Sequence, residues 1–324
     1  MISDYKILMG DCMKSMRSLE PNSIQCCVTS PPYFGLRDYG KDGQIGLEQT
    51  PEEFVDKLVE VFREVKRVLK DDGTLWVNIG DSYAGSGKGP AGNLTKSHDQ
   101  QNMEHKHSKI VPDGLKPKDL IGVPWRLAFA LQADGWYLRQ DIIWSKPNPM
   151  PESVKDRCTK SHEYIFLFSK SPKYYYDSEA VKEDCSEENI KDFLQRNKMN
   201  NKGSGAGSYE EARPDLARSR ADYMPSDFKR NRRSVWQVTA KPYKGAHFAV
   251  FPPELIEPCI LAGSKMGDTV LDPFGGSGTT AGVALKHGRQ AILCELNEEY
   301  GDLIDARVRD IFPHKDQYAF LDKL

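Results

Sequence analysis

Two short segments carry residue types able to do chemistry, and they lie far apart in the chain. One is Val270-Leu271-Asp272-Pro273-Phe274-Gly275-Gly276-Ser277-Gly278-Thr279-Thr280. An apolar run, a glycine turn and a helix start let backbone approach a ligand closely, and an acidic residue at the end of the next apolar run can accept hydrogen bonds from ribose hydroxyls. That acid is Glu295, 20 positions beyond Gly275. No lysine follows the glycines before Thr279, so a phosphate loop of the Walker type is excluded. The motif predicts a nucleoside cofactor; NAD and S-adenosylmethionine both satisfy it, and a turn made only for close packing is the plainer alternative.

The other segment is Thr29-Ser30-Pro31-Pro32-Tyr33, where an apolar run ends. Consecutive prolines lack N–H groups and fix φ, so the carbonyls of Ser30 and Pro31 become rigid acceptors, with the Tyr33 ring as a flat platform. Acceptors beside an aromatic face suit a planar ring bearing an exocyclic amino group, which is a nucleobase edge. In open α/β sheets ligands bind outside the carboxyl ends of the strands. Ser30 and Gly276 can therefore meet although 246 positions separate them.

The elements that must position these segments alternate between short apolar runs and helical ones, which predicts a parallel sheet covered by helices. Strands are expected at Ser23–Thr29, Gly73–Ile79, Trp136–Trp144, His162–Ser169, Thr269–Leu271 and Gln290–Cys294. Helices are expected at Pro51–Lys70, Pro117–Ala133, Pro252–Ala262, Ser277–His287 and Glu298–Ile311. Trp76, Trp125, Trp136 and Trp144 read as core, and His162 and His247 as structural histidines beside apolar runs.

Two stretches break this rhythm. Residues 84–118 carry six lysines against three acids, and residues 196–233 carry ten basic residues against five acids. Basic segments inserted into a body of net charge -2 suit contact with a polyanion, since Lys and Arg gain from counterion release at phosphates; solvated linkers are the alternative. Within the first, Gly85-Ser86-Gly87-Lys88-Gly89 lacks the hydroxyl residue that a nucleotide-hydrolysing loop needs after its lysine. His98, His105 and His107 lack Cys or carboxylate partners at ligand spacing, so no metal is expected.

Composition bounds the class. The chain has 324 residues, 39% hydrophobic and 28% charged, which fits about two domains or one large α/β domain with insertions. No apolar stretch approaches the roughly 18 residues of a membrane span, and the first residues show no secretory pattern. The seven cysteines are scattered and never spaced C-x-x-C; they are expected to be reduced thiols of a cytoplasmic protein.

Together, Asp272-Pro273-Phe274-Gly275-Gly276-Ser277-Gly278-Thr279-Thr280, Glu295 and Thr29-Ser30-Pro31-Pro32-Tyr33 resemble the DNA amino-methyltransferases, in the beta order where the target-base motif precedes the cofactor motif. Gly10-Asp11-Cys12 is similar to that family's short N-terminal cofactor motif, Leu75–Ser82 to the next strand motif, Arg139–Trp144 with Lys146–Pro149 to the strand and turn beyond, Ser161–Phe168 to the late hairpin, and His247-Phe248 through Phe251–Leu255 to the helix before the cofactor loop.

The resemblance implies an α/β fold with a seven-stranded, mostly parallel, Rossmann-like sheet and S-adenosylmethionine as methyl donor. It implies Asp11, Phe251, Asp272, Pro273, Phe274, Gly275, Gly276, Ser277, Gly278, Thr279 and Glu295 at the cofactor, and Ser30, Pro31, Pro32 and Tyr33 at an extruded base of double-stranded DNA. Residues 1–175 and 236–324 would form one catalytic domain, with target recognition in 176–235. A monomer or homodimer is expected, with a companion restriction endonuclease among the implied partners. In the family's pattern a leading serine goes more often with cytosine N4, and aspartate or asparagine with adenine N6, so Ser30 favours cytosine. Methyltransferases of RNA or protein amides, and an NAD-dependent oxidoreductase, remain the competing classes; the last leaves Ser30–Tyr33 and the basic insertions unexplained. Lys146 reads equally as a phosphate contact or a turn cap.

Overall fold

A computed structural model describes residues 5–35, 40–85, 111–191, 195, 228–241 and 250–313. The described chain falls into two compact units, residues 1–176 with 234–324, and residues 177–233.

The larger unit is built on strands β1 (Tyr5–Met9), β2 (Ile24–Thr29), β3 (Leu69–Ile79), β4 (Tyr137–Ser145), β5 (His162–Ser169), β8 (Val235–Gln237), β9 (Thr269–Asp272) and β10 (Gln290–Glu295). They lie in the order β1-β10-β9-β2-β3-β5-β4-β8. β5 runs antiparallel to both its neighbours, and every other pairing in this sheet is parallel. The sheet is thus the expected mostly parallel α/β sheet, with eight strands among the described residues where seven were expected. The addition at the edge is Val235–Gln237, three residues paired with Ile143–Ser145, too short to leave an apolar pattern of its own.

Helix α2 (Pro51–Val68), which follows the short α1 (Cys12–Arg17), shows how sequence sets an element. Thr50 Oγ1 accepts from the Glu53 amide while the Glu53 carboxylate accepts from the Thr50 amide, and Pro51 opens the first turn, a capping box with proline where its missing N–H costs nothing. Phe54, Leu58, Val61, Phe62, Val65 and Val68 then fall on one buried stripe; each such side chain contributes roughly 1.5–3 kcal/mol on burial.

Helix α3 (Val123–Ala133) starts six residues later than the expected Pro117, because its first amides are capped from elsewhere. The Asp81 carboxylate accepts from the Gly122 and Val123 amides. These three helices pack on one face of the sheet, against Cys27, Leu75, Val77, Ile79, Phe166 and Phe168. Alternate residues of the strands face the other way, where Gly263 at the end of α4 (Pro253–Gly263) lies so close to Cys26 Sγ and Thr74 Oγ1 that a Cβ there would sit 2.6 and 2.7 Å from them. Helices α5 (Thr279–Lys286) and α6 (Gly301–Ile311) complete the unit. Trp76, Trp136 and Trp144 are buried; Trp125 is half-buried. No described helix is long and apolar enough to cross a membrane.

In the smaller unit, β6 (Glu183–Asp184) pairs antiparallel with β7 (Lys229–Arg230). Arg230 and Arg233 both donate to Glu183 Oε1, at 2.9 and 2.6 Å. The three histidines at 98, 105 and 107, His247 and most of the basic stretch from 196 onward lie outside the described residues.

Candidate active site

The carboxyl ends of β2, β9 and β10 open into one cavity. Its wall includes Asp11, Ser30, Pro31, Pro32, Tyr33, Phe251, Asp272 to Ser277, Thr279 and Glu295, so two segments whose leading residues Thr29 and Asp272 are 243 positions apart share a single space. Parallel pairing of β2 with β9, Cys26 beside Val270 and Cys27 beside Leu271, delivers both segments to the same edge.

Within the glycine segment, the turn needs its glycines for different reasons. Gly276 has φ of +53° and Gly278 of +85°, a region open to glycine at little cost. Gly275 must come close to β10: a Cβ there would lie 3.0 Å from Leu293 Cβ. Gly278 is the one expected cofactor residue absent from the cavity wall. It is the N-cap of α5 and packs on Ile304, 2.8 Å from where a Cβ would stand.

The acids are satisfied in three distinct ways. Glu295 Oε2 accepts from the Gly276 amide and Oε1 from the Asn297 amide, both at 2.8 Å; each oxygen retains a second lone pair. Burial raises its pKa, and the two amides oppose that rise. Asp272, only 1% exposed, accepts from Thr29 Oγ1 at 2.6 Å, Thr280 Oγ1 at 2.7 Å and the Phe274 amide at 3.0 Å. Burial pushes its pKa up to about 6 against those hydrogen bonds. The Thr29 hydrogen bond thus joins the two segments, while those from Thr280 and the Phe274 amide fix the glycine turn itself. Asp11 caps α1, accepting from the Lys14 amide at 2.9 Å.

On the same cavity wall, the Tyr33 hydroxyl donates to Glu163 Oε2 at 2.7 Å. Burial and the neighbouring Glu163 carboxylate hold the phenol pKa well above its ordinary value, so the group is un-ionised. The ring lies against Gly80, where a Cβ would stand 2.7 Å from Tyr33 Cε2. Lys146, read from sequence as a phosphate contact or a turn cap, pairs instead with Glu163.

Sequence reasoning missed Lys41, Gln44, Ile45, Asn297 and Tyr300, which also line the cavity. Asn297 carried a legible signal, since an Asn two residues past an acidic strand end suits a cap; it accepts from the Glu299 amide at 3.2 Å. Lys41, Gln44 and Ile45 follow the target-base segment in a turn-rich stretch with no motif of their own.

Comparison with known proteins places this geometry. The family model for DNA methylases of the N6/N4 type matches residues 24–306. The chain is 50% identical over 302 residues to the type II methyltransferase M.Cfr9I of Citrobacter freundii, an alignment covering 93% of this chain and 86% of that one. Its fold is similar to that of the cytosine-N4-specific PvuII DNA methyltransferase, with TM-score 0.60 and 20% identity over 96% of this chain and 93% of that one. It is also similar to a DNA modification methylase from Thermus thermophilus in complex with S-adenosyl-L-methionine, with TM-score 0.58 and 22% identity over 96% and 95% of the two chains.

The chain belongs to the DNA methylase family and is a DNA amino-methyltransferase. S-adenosylmethionine is the methyl donor of that chemistry, and the cavity fits it: a buried carboxylate with spare acceptors at Glu295, a glycine turn that admits close backbone approach, and apolar walls from Phe251, Phe274 and Ile45.

Proposed function

We propose that this protein methylates the N4 amino group of a cytosine extruded from double-stranded DNA. The observation that carries the reading is the single cavity shared by Ser30–Tyr33 and Asp272–Ser277. Bound S-adenosylmethionine supplies an activated methyl group; the chain's own residues bind, orient and hold.

Glu295 accepts hydrogen bonds from ribose hydroxyls, and Phe251 and Phe274 cover apolar parts of the cofactor. Ser30 and the Pro31 carbonyl accept from the amino group of the base. Such acceptors favour a more tetrahedral nitrogen, freeing the lone pair that ring conjugation would otherwise hold. Tyr33 stacks on the extruded ring, recovering part of the roughly few kcal/mol that leaving the duplex costs. Positioning of this kind supplies about 7 kcal/mol or more of the barrier reduction, and acceptors aimed at the developing N–H charge add to it. No strong general base is demanded, since a methylated ammonium-like nitrogen releases its proton readily.

Cytosine is preferred over adenine because serine leads the target-base segment. Residues 176–235 are assigned to recognition of the DNA word, on their basic composition and because the described residues of 177–233 fall into a unit of their own.

The test is incubation with labelled S-adenosylmethionine and separate pools of DNA, RNA and protein, followed by mass spectrometry of digested DNA. Label in DNA as N4-methylcytosine is expected. Label as N6-methyladenine would overturn the choice of base, and label confined to RNA or protein would overturn the substrate.

A further inference from the structure

The loop that joins β4 to β5, residues 146–161, is rooted on both sides at the seat of Tyr33. At its start Lys146 Nζ pairs with Glu163, the carboxylate that takes the Tyr33 phenol. The Lys146 amide donates to the Ser161 carbonyl at 2.8 Å, closing the two legs. At its end Lys160 Nζ donates to the Asp81 carbonyl at 2.8 Å, and Asp81 follows Gly80, against which the Tyr33 ring lies. Glu152 Oε2 accepts from the Lys160 amide at 3.2 Å and from Arg157 at 2.6 Å, so the far part of the loop is tied back to its root.

Sequence makes the first leg stiff. Lys146-Pro147-Asn148-Pro149-Met150-Pro151 has proline at alternate positions. Each proline fixes its own φ and confines the residue before it to extended conformations, so the whole stretch has little freedom to lose on binding. Asn148 braces it: Nδ2 donates to the Ala240 carbonyl at 2.9 Å, and Oδ1 accepts from the Ala240 amide at 3.0 Å.

On this leg Met150 is 55% exposed. A single exposed apolar side chain is ordinary on a protein surface; here the prolines at 149 and 151 also deny the backbone the freedom to turn it inward. Val154 and Lys155 are exposed further along the same loop. Residues 146–161 carry Lys146, Lys155, Arg157 and Lys160 against Glu152 and Asp156, an excess of positive charge that suits a partner lined with phosphates. Four residues of extended chain keep Met150 within about 14 Å of Lys146, beside the target-base segment.

We propose that Met150 is an intercalating wedge, whose side chain enters the base stack where the target base has left it. The proposal rests on reading Ser30–Tyr33 as the target-base segment. Extrusion breaks pairing and stacking and leaves a gap walled by flat apolar faces. Methionine is unbranched and polarisable, which lets it fill a narrow space, and apolar wedges of this kind serve proteins that unstack duplex steps. Filling the gap removes the side chain from water, and the stiff leg keeps the entropic cost of ordering small. The charge of the loop draws it toward the phosphates on either side.

The experiment is single-turnover methyl transfer by wild type, Met150→Ala and Met150→Leu to two duplexes, one with the target base correctly paired and one with it mismatched. Extrusion is read separately from the fluorescence rise of 2-aminopurine at the target position, and each protein is checked by thermal unfolding and calorimetric cofactor binding. Met150→Ala should slow transfer to the paired duplex roughly tenfold, the scale of burying one apolar side chain, and should diminish the fluorescence rise. On the mismatched duplex, where extrusion has less to overcome, the loss should be under about twofold. Met150→Leu, which conserves apolar volume, should stay near wild type. Melting temperature and cofactor affinity should hold, since the side chain is exposed and outside the cavity wall. A wild-type rate for Met150→Ala on the paired duplex overturns the proposal and leaves the target-base reading intact. So does an equal loss on both duplexes, which would make Met150 an ordinary DNA contact. A melting temperature that falls with the rate would assign it a merely structural role and overturn the proposal as well. Failure of the wild type to methylate either duplex would overturn the target-base reading and the proposal with it.

Discussion

Thr29 Oγ1 donates a 2.6 Å hydrogen bond to Asp272 Oδ1 across 243 positions of sequence. Thr29 is the last residue of β2 and Asp272 the last of β9, so this one contact ties the strand that presents Ser30 to the strand that presents the glycine turn. The same carboxylate takes the Thr280 hydroxyl from the first turn of α5. Two segments far apart in sequence are thus registered through a single buried acid.

Removing that acid should loosen both segments. In Asp272→Ala, the two threonine hydroxyls and the Phe274 amide lose their buried acceptor, and each unsatisfied polar group costs roughly 1–3 kcal/mol. A loss of about 3 kcal/mol or more in urea unfolding is expected from the same penalties taken together. Asp272→Asn retains one carbonyl acceptor and should lose less. Equal stability of wild type and Asp272→Ala would show that the contact does not join the segments.

The pH dependence of stability carries a defined sign. Asp272 is raised from 3.8 to about 6 by burial, so between these values the folded state binds the proton more tightly than the unfolded chain does. The stabilisation associated with this proton is fully present below about pH 4 and is lost as pH rises through about 6. The raised value corresponds to roughly 3 kcal/mol across the window. Unfolding free energies of wild type minus Asp272→Asn should therefore fall between about pH 4 and about pH 7. A flat or rising difference would contradict the raised value.

Much of the fold was legible because its elements bury continuous apolar runs or a helical stripe. His162–Ser169 has the same limits in sequence and structure, and Pro51 marked the start of α2. What escaped depends on partners remote in sequence. The start of α3 at Val123 is set by the Asp81 carboxylate, 42 positions away, and the edge strand Val235–Gln237 exists only by pairing with β4. In the site, the glycine turn and Glu295 were local patterns. The role of Asp272 as a clamp and of Glu163 as the holder of Tyr33, 130 positions apart, left no local trace, because each is defined by which strand ends meet at one edge of the sheet.

Cofactor affinity should depend on Glu295. Glu295→Ala removes the acceptors assigned to the ribose and frees the Gly276 and Asn297 amides. Hydrogen bonds involving a charged group are worth about 1.5–3 kcal/mol, so the S-adenosylmethionine dissociation constant should rise roughly tenfold to a hundredfold. An unchanged constant by calorimetry would remove the ribose role.

Tyr33 can be displaced without touching it. A methyl group at Gly80 would stand 2.7 Å from Tyr33 Cε2, so Gly80→Ala forces the ring to shift. Methyl transfer should slow by on the order of 10²-fold while cofactor affinity holds. Undiminished transfer would indicate that the observed seat of the ring is not the working one.

The most direct test of the shared cavity is a crystal structure of the protein with a non-transferable S-adenosylmethionine analogue and its duplex. The account predicts one extruded cytosine stacked on Tyr33, its amino group on Ser30 and Pro31, facing an analogue whose ribose hydroxyls reach Glu295. A base and an analogue held in separate cavities, or an analogue away from Gly275–Gly276, would contradict it.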